Sequence, residues 1–225
     1  MYKQGLSVVL FILSILSKRD FHSHLTVILR QNTTMKKRST TTSGMEWNTM
    51  IGLTQRLKQD NKYRDYLLIT VGCYFGLRIG DLLSLRWCDV MDKSELVLTE
   101  QKTGKIRKIT INRKVSDAIN QCLNKHQKGF NLETPLFANR WGSGLTISYV
   151  NKRLKAIFKK YDVRVQNPSS HTLRKTFGKR VYEADNKSER ALVYLSEIFS
   201  HSSISTTRRY IGITQEQIAD MYLSL

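Results

Sequence analysis

The chain has 225 residues, with 37 Lys and Arg against 18 Asp and Glu, a formal net charge of +19. Hydrophobic residues at 40%, with only 2 Pro and 12 Gly, exclude disordered, collagen-like and Pro-rich classes and leave enough apolar side chain for a sizeable core. Charge of this magnitude calls for a polyanionic partner, nucleic acid first and an anionic membrane surface second. The cysteines Cys73, Cys88 and Cys122 are odd in number, with no CxxC and no Cys–His pair at zinc spacing. That pattern points away from a disulfide framework and a structural zinc, and towards buried thiols in a reducing compartment.

In chain order, residues 6–16 (LSVVLFILSIL) form an apolar run flanked by Lys3 and by Lys18-Arg19. It is too short to span a bilayer, which needs about 20 residues. Its length suits the core of an export signal, but no small-x-small cleavage site follows. Residues 31–45 are polar and low in complexity, and read as a linker. Residues 1–45 hold 7 basic residues and 1 acidic residue, net +6, so the remainder carries +13 and is basic by itself. The expectation is a disordered leader over 1–45: an upstream translated extension with Met35 or Met45 as the working start, or the tail of a lost preceding domain.

Helical periodicity covers Glu46 to Gln59, then Tyr63 to Gly76, which is apolar nearly all round and therefore central. Ile79 to Leu85 adds a turn or two. The period then changes to strict alternation in Glu95–Gln101 and Ile106–Asn112, flanking Lys102-Thr103-Gly104-Lys105, which predicts a β-hairpin. Helices are expected over Arg113–Lys128, Thr146–Tyr161 with a basic face, His171–Glu183 after the start signal Pro168-Ser169-Ser170, Ser188–Phe199 and Thr214–Leu223. The fold class is mainly α with a small antiparallel β-sheet (α+β), one domain over 46–225.

Several residues stand out from the solvated charge that most Lys and Arg represent. Arg78 follows directly on an apolar helix, and Asp81, three residues on, shares its helical face and can orient its guanidinium. The bland role of Arg78 would be to cap helix carbonyls. Lys102 sits on a hairpin turn from which a mobile ammonium can reach into a groove. His171 and Arg174, at i and i+3, project together and can both donate to one phosphate. His201 and Tyr210 lie nine residues apart in a Ser- and Thr-rich segment ending Arg208-Arg209-Tyr210.

Taken together, GLRIGDLLSLRW, EQKTGKIRKITI, HTLRKTF and SHSSISTTRRY, in that order, resemble the boxes of the tyrosine recombinases, the phage-integrase family. The resemblance covers residues 46–225. It implies a tyrosine-recombinase catalytic-domain fold and site-specific DNA cleavage and rejoining through a covalent 3′-phosphotyrosyl intermediate. The implied catalytic set is Arg78, Lys102, His171, Arg174, His201 and Tyr210, with Asp81 in support. Arg78 and Arg174 would grip the non-bridging oxygens of the five-coordinate phosphorus, with His201 as a further donor. Tyr210 would attack, His171 would take or relay its proton, and Lys102 would protonate the departing 5′-oxygen. Bond energy is kept in the covalent link, so no metal and no cofactor is implied.

The implied partner is double-stranded DNA, bound by a homo-tetramer that is monomeric when free, with accessory DNA-bending proteins possible and no membrane. The implied location is the cytoplasm, on a bacterial or phage-encoded element. Lys105, Arg140, Lys152, Arg153 and Lys175 are the expected DNA contacts. Two departures stand out. Ser200 replaces the Gly usual before the last histidine. The 45-residue leader is too short for the helical core-binding domain common in the family, so the chain is read as a catalytic-domain-only recombinase or a truncated product. Two other readings remain: a catalytically silent DNA-binding relic, and a type IB topoisomerase-like enzyme that only relaxes supercoils. The C-terminal segment after Tyr210 has an apolar side that would dock on a neighbouring protomer or on its own domain.

Overall fold

A computed structural model describes residues 41–125, 131–213 and Leu223. The disorder expected of residues 1–40, the end of the helix expected to reach Lys128, the helix expected over 214–223 and the docking of that tail lie outside the described residues, Leu223 aside.

The core is assembled around one helix. α1 (Trp47–Gln59) buries Met50, Leu53, Thr54 and Leu57, a stripe at helical spacing. α2 (Tyr63–Phe75) buries ten of its thirteen residues, as its lack of a polar face demands. α1, α5 (Arg113–Leu123) and α7 (His171–Ala184) all pack against it. Gly76 ends α2 in the left-handed conformation, φ +56°. A Cβ there would lie 2.4 Å from a Phe177 ring carbon, so backbone and space both require glycine. This turn sends the chain into α3 (Ile79–Leu83), whose N-cap is Arg78, and then into α4 (Trp87–Val90).

β1 (Glu95–Thr99) and β2 (Ile106–Thr110) form a two-stranded antiparallel hairpin with Glu95 opposite Thr110 and Thr99 opposite Ile106. Both strands are two residues shorter than their alternation predicts. The Glu100 N–H donates to the Lys105 carbonyl and closes the turn, while Asn112 is taken as the cap of α5, its side chain accepting from the Val115 N–H. α6 (Ile147–Lys160), α8 (Glu189–Phe199) and α9 (Ile204–Ile211) start in the same way, on the side-chain oxygens of Thr146, Ser188 and Ser203.

α9 and α4 are the helices that periodicity missed. In α9 the Ser/Thr composition reads as loop, but Ser203 caps it and Thr207 is its buried contact. The stretch 42–45, part of the leader by composition, lies against the start of α7. The Ser43 N–H donates to the Gln166 carbonyl, the Met45 N–H donates to Thr176 Oγ1, and Met45 is buried.

Candidate active site

Two helix ends meet two arginines. Arg174 lies on the first turns of α7 and is buried. Its Nη1 donates to the Gly76 carbonyl at 2.7 Å and its Nη2 to the Phe199 carbonyl at 3.1 Å. Arg78 Nη2 donates to the same Phe199 carbonyl at 2.9 Å. Gly76 and Phe199 close α2 and α8, where partial negative charge accumulates on unpaired carbonyls, so both guanidinium groups sit at favourable helix C-termini. The Arg174 guanidinium carbon also rests 4.3 Å over the Phe199 ring. Burial lowers the Arg174 pKa to about 10, which leaves it cationic at neutral pH.

The carboxylate partner of Arg78 is Glu100, at the end of β1, at 2.7 Å. Asp81, placed beside Arg78 by helical spacing, instead accepts the Gln101 N–H at 2.8 Å. The difference follows from backbone geometry: Arg78 is an extended N-cap, not a helical residue, so the i,i+3 rule does not reach it. Asp81 thereby anchors the hairpin turn that carries Lys102. Glu100 is 2% exposed and collects Arg78, the Thr103 hydroxyl at 2.7 Å, the Ser200 hydroxyl at 3.3 Å and Arg107 at 3.6 Å. Burial alone would raise its pKa. Hydrogen bonds from Thr103 and Arg78, and the charges of Arg78 and Arg107, outweigh burial and hold it below the usual carboxylate value.

A cavity of about 430 Å³ opens between these elements, lined by Arg78, Lys102, His171, Arg174, His201 and Tyr210 together with Thr103, Ser170 and Ser200. Thus all six side chains expected to carry chemistry line one pocket, brought there from the α2–α3 turn, the hairpin turn, α7, the α8–α9 turn and α9. Lys102 is exposed on its turn. His171, first residue of α7, stays open to solvent on one side. Loss of hydration, then the charges of Lys175 and Arg174, lowers its pKa. His201 is lowered by burial, then by Arg174 and Arg78, and its Nδ1 lies 2.9 Å from Thr207 Oγ1. Tyr210 packs edge-on against Phe199 and His201 at centroid distances of 5.3 and 5.2 Å. Its buried Oη has no hydrogen-bond partner among the described residues. Desolvation raises its pKa, and Arg174 and Arg78 pull against that rise.

Ser200 occupies the left-handed region at φ +52°, which explains why glycine is usual there. Its hydroxyl bond to Glu100 offsets part of the strain. Of the expected DNA contacts, Lys105, Arg140 and Lys152 are exposed. Arg153 is not a free cation, because its guanidinium forks onto the buried carboxylate of Asp65 through Nε at 3.0 and 3.1 Å and through Nη2. Lys175 is buried on α7, with its ammonium 5.0 Å from the Tyr210 ring centroid. The sequence marks both as DNA contacts, because periodicity does not reveal a partner on another helix. Glu100, Arg107 and Thr207 were missed. Arg107 carries a faint signal, since the alternation of β2 puts it on the inward face with Ile109.

Comparison with known proteins bears on the family and the fold. The family model "Phage integrase family" matches residues 20–217. The probable integrase/recombinase YoeC of Bacillus subtilis (strain 168) is 32% identical over 168 residues, covering 75% of this chain and 87% of that protein. Tyrosine recombinase XerH of Campylobacter jejuni is 26% identical over 164 residues, 71% of this chain and 44% of that protein, so the chain spans under half of the Xer enzyme's length. Among solved structures, XerA recombinase superimposes with a TM-score of 0.63 at 21% identity, over 80% of this chain and 64% of that one. A post-cleavage complex of XerH on palindromic difH substrate gives 0.61 at 19% identity, over 80% and 52%. The solved structures carry the fold, mainly helical with a small antiparallel sheet, and the family model with YoeC carries the kinship. On these grounds the chain belongs to the phage integrase family.

Proposed function

We propose that the protein cleaves and rejoins DNA at specific sites, with Tyr210 as the nucleophile that becomes ester-linked to the 3′-phosphate of the cut strand. The observation that carries the reading is the pocket in which Arg78, Lys102, His171, Arg174 and His201 surround a single buried phenol. Arg174 is already fixed by two carbonyls and Arg78 by a carbonyl and Glu100, so donors to a phosphorane need little reorganisation.

The Tyr210 oxygen attacks phosphorus in line with the 5′-oxygen. As the O–P bond forms, the phenolic proton passes to neutral His171, whose lowered pKa keeps it unprotonated near neutral pH. The two guanidinium groups hold the non-bridging oxygens, and His201 adds a donor through the ring nitrogen not engaged with Thr207. The P–O5′ bond breaks with a proton from Lys102, which leaves a free 5′-hydroxyl. The reverse sequence rejoins the strand. Asp81 and Glu100 position the turn and Arg78 respectively.

Double-stranded DNA is the partner, through Lys105, Arg140 and Lys152. Exchange between two duplexes requires four strand cuts, one per tyrosine, so the working unit is a homo-tetramer on DNA built from free monomers. The setting is the cytoplasm of a bacterial or phage-bearing cell. Among the described residues no helix is long and apolar enough to cross a membrane. A nicked duplex whose short 5′ fragment diffuses away tests the reading. The expected result is a protein–DNA adduct stable to denaturant, lost in Tyr210→Phe and dependent on the target sequence. DNA binding without an adduct would favour a silent binding module, and relaxation of any supercoiled plasmid would favour a topoisomerase-like role.

A further inference from the structure

Lys175 is a charged group beside Tyr210 that the reaction above leaves unused. It is 7% exposed, next to Arg174 on α7, and its ammonium nitrogen lies 5.0 Å from the centroid of the Tyr210 ring. Loss of hydration is the only cause of its lowered pKa, so no carboxylate among the described residues offsets its charge. The stem of Lys175 is buried while its ammonium nitrogen, which is not one of the fully buried polar atoms, keeps contact with solvent.

We propose that Lys175 is a positioning residue for Tyr210: its ammonium holds the phenol ring by one face and supplies positive charge that favours the phenolate as the oxygen attacks phosphorus. The proposal rests on the reading of Tyr210 as the nucleophile. The charged and titratable groups around Tyr210 are Arg174 and His171 on α7, Arg78 before α3, Lys102 on the hairpin turn, Glu100 beneath it and His201 before α9. Arg78 and Arg174 are the cations that a bound phosphodiester neutralises. Lys175 lies over the ring face, and its charge also bears on His171, whose pKa it helps to lower. A phenolate spreads negative charge into its ring, so a cation over the face stabilises it more than the neutral phenol. Lys175 keeps its proton throughout; the phenolic proton leaves to His171, and the 5′-oxygen takes its proton from Lys102.

The test is single-turnover cleavage by the full chain and by Lys175→Met, Lys175→Arg and Lys102→Ala, across the neutral to alkaline range. Each is run on an ordinary nicked duplex and on one with sulfur in place of the bridging 5′-oxygen. Lys175→Met is expected to slow cleavage about tenfold near neutral pH and to move the alkaline rise in rate up by about one pH unit. Lys175→Arg restores rate and profile. The sulfur leaving group, which needs no proton, rescues Lys102→Ala and leaves Lys175→Met slow, because Lys175 serves the attacking oxygen. DNA affinity and its salt dependence stay unchanged.

A wild-type pH profile in Lys175→Met, rescue of that variant by sulfur, or loss of about one unit of salt slope would each overturn the proposal, the last by making Lys175 a phosphate contact. If Met at 175 prevents folding, judged by thermal melting, Lys175→Gln is read by the same criteria. An adduct that persists in Tyr210→Phe would instead overturn the underlying reading of the nucleophile.

Discussion

Glu100 neutralises part of a crowded cationic centre without diluting its function. Removing it leaves Arg78 and Arg107 facing each other with no anion, and Arg107 is already pushed down in pKa by its own burial. Glu100→Gln keeps the shape and one acceptor but loses the charge. It is expected to destabilise the fold by about 1–3 kcal/mol near neutral pH, measured by urea unfolding, and to slow cleavage through a looser Arg78. Because the folded pKa of Glu100 lies below its unfolded value, its stabilisation is present above the unfolded pKa and is lost as pH falls through the folded one. The gap between wild type and Glu100→Gln should therefore close in acid. A gap that persists or widens there would refute the assignment. His171 and Arg174 were visible together in the sequence because they stand three positions apart on one helix. Glu100 stayed hidden because its partner is 22 positions away, with α3, α4 and β1 between them.

At the level of elements, the site is a meeting of helix ends, and α9 is the piece that must dock correctly. Its seat is Gly178 on α7. A Cβ at that position would lie 2.8 Å from an Ile211 side-chain carbon and 3.0 Å from ring carbons of Phe199. Ile211 follows Tyr210, and the carbonyl of Phe199 serves both arginines, so crowding here disturbs nucleophile and cations together. Gly178→Ala is expected to cost about 1–3 kcal/mol and to reduce covalent adduct formation more than it reduces DNA binding, as read by thermal melting and by gel shift. Equal loss of the two would mean that α9 docking is not the sensitive step. The apolar wrap of α2 and the alternating hairpin were legible because burial imposes a period on sequence. α9 was not, because its helicity comes from the Ser203 cap and from packing by Thr207 rather than from an apolar stripe.

For the whole molecule, the charge of +19 must be divided between cations that meet DNA and cations already paired inside the fold. Arg140 and Arg153 were equivalent in sequence and differ in place. Arg140→Ala is expected to lower the slope of log affinity against log salt by about one unit with stability unchanged. Arg153→Ala strands the buried Asp65 carboxylate and is expected to lower stability by about 3 kcal/mol or more, with little change in that slope. Salt titrations of DNA binding and urea melts of the two variants separate the roles, and the reverse pattern would show that the pairing with Asp65 is not maintained on DNA.

The central claim is chemical, and peptide mapping of the trapped complex tests it most directly. Trypsin after Arg209 releases the peptide from Tyr210 to Leu225, which contains two tyrosines, Tyr210 and Tyr222. Fragmentation by mass spectrometry is predicted to locate the nucleotide on Tyr210, through a phosphate ester. A nucleotide on Tyr222 or on any other residue, or the absence of a nucleotide-bearing peptide under conditions where the target strand is cut, would contradict the account.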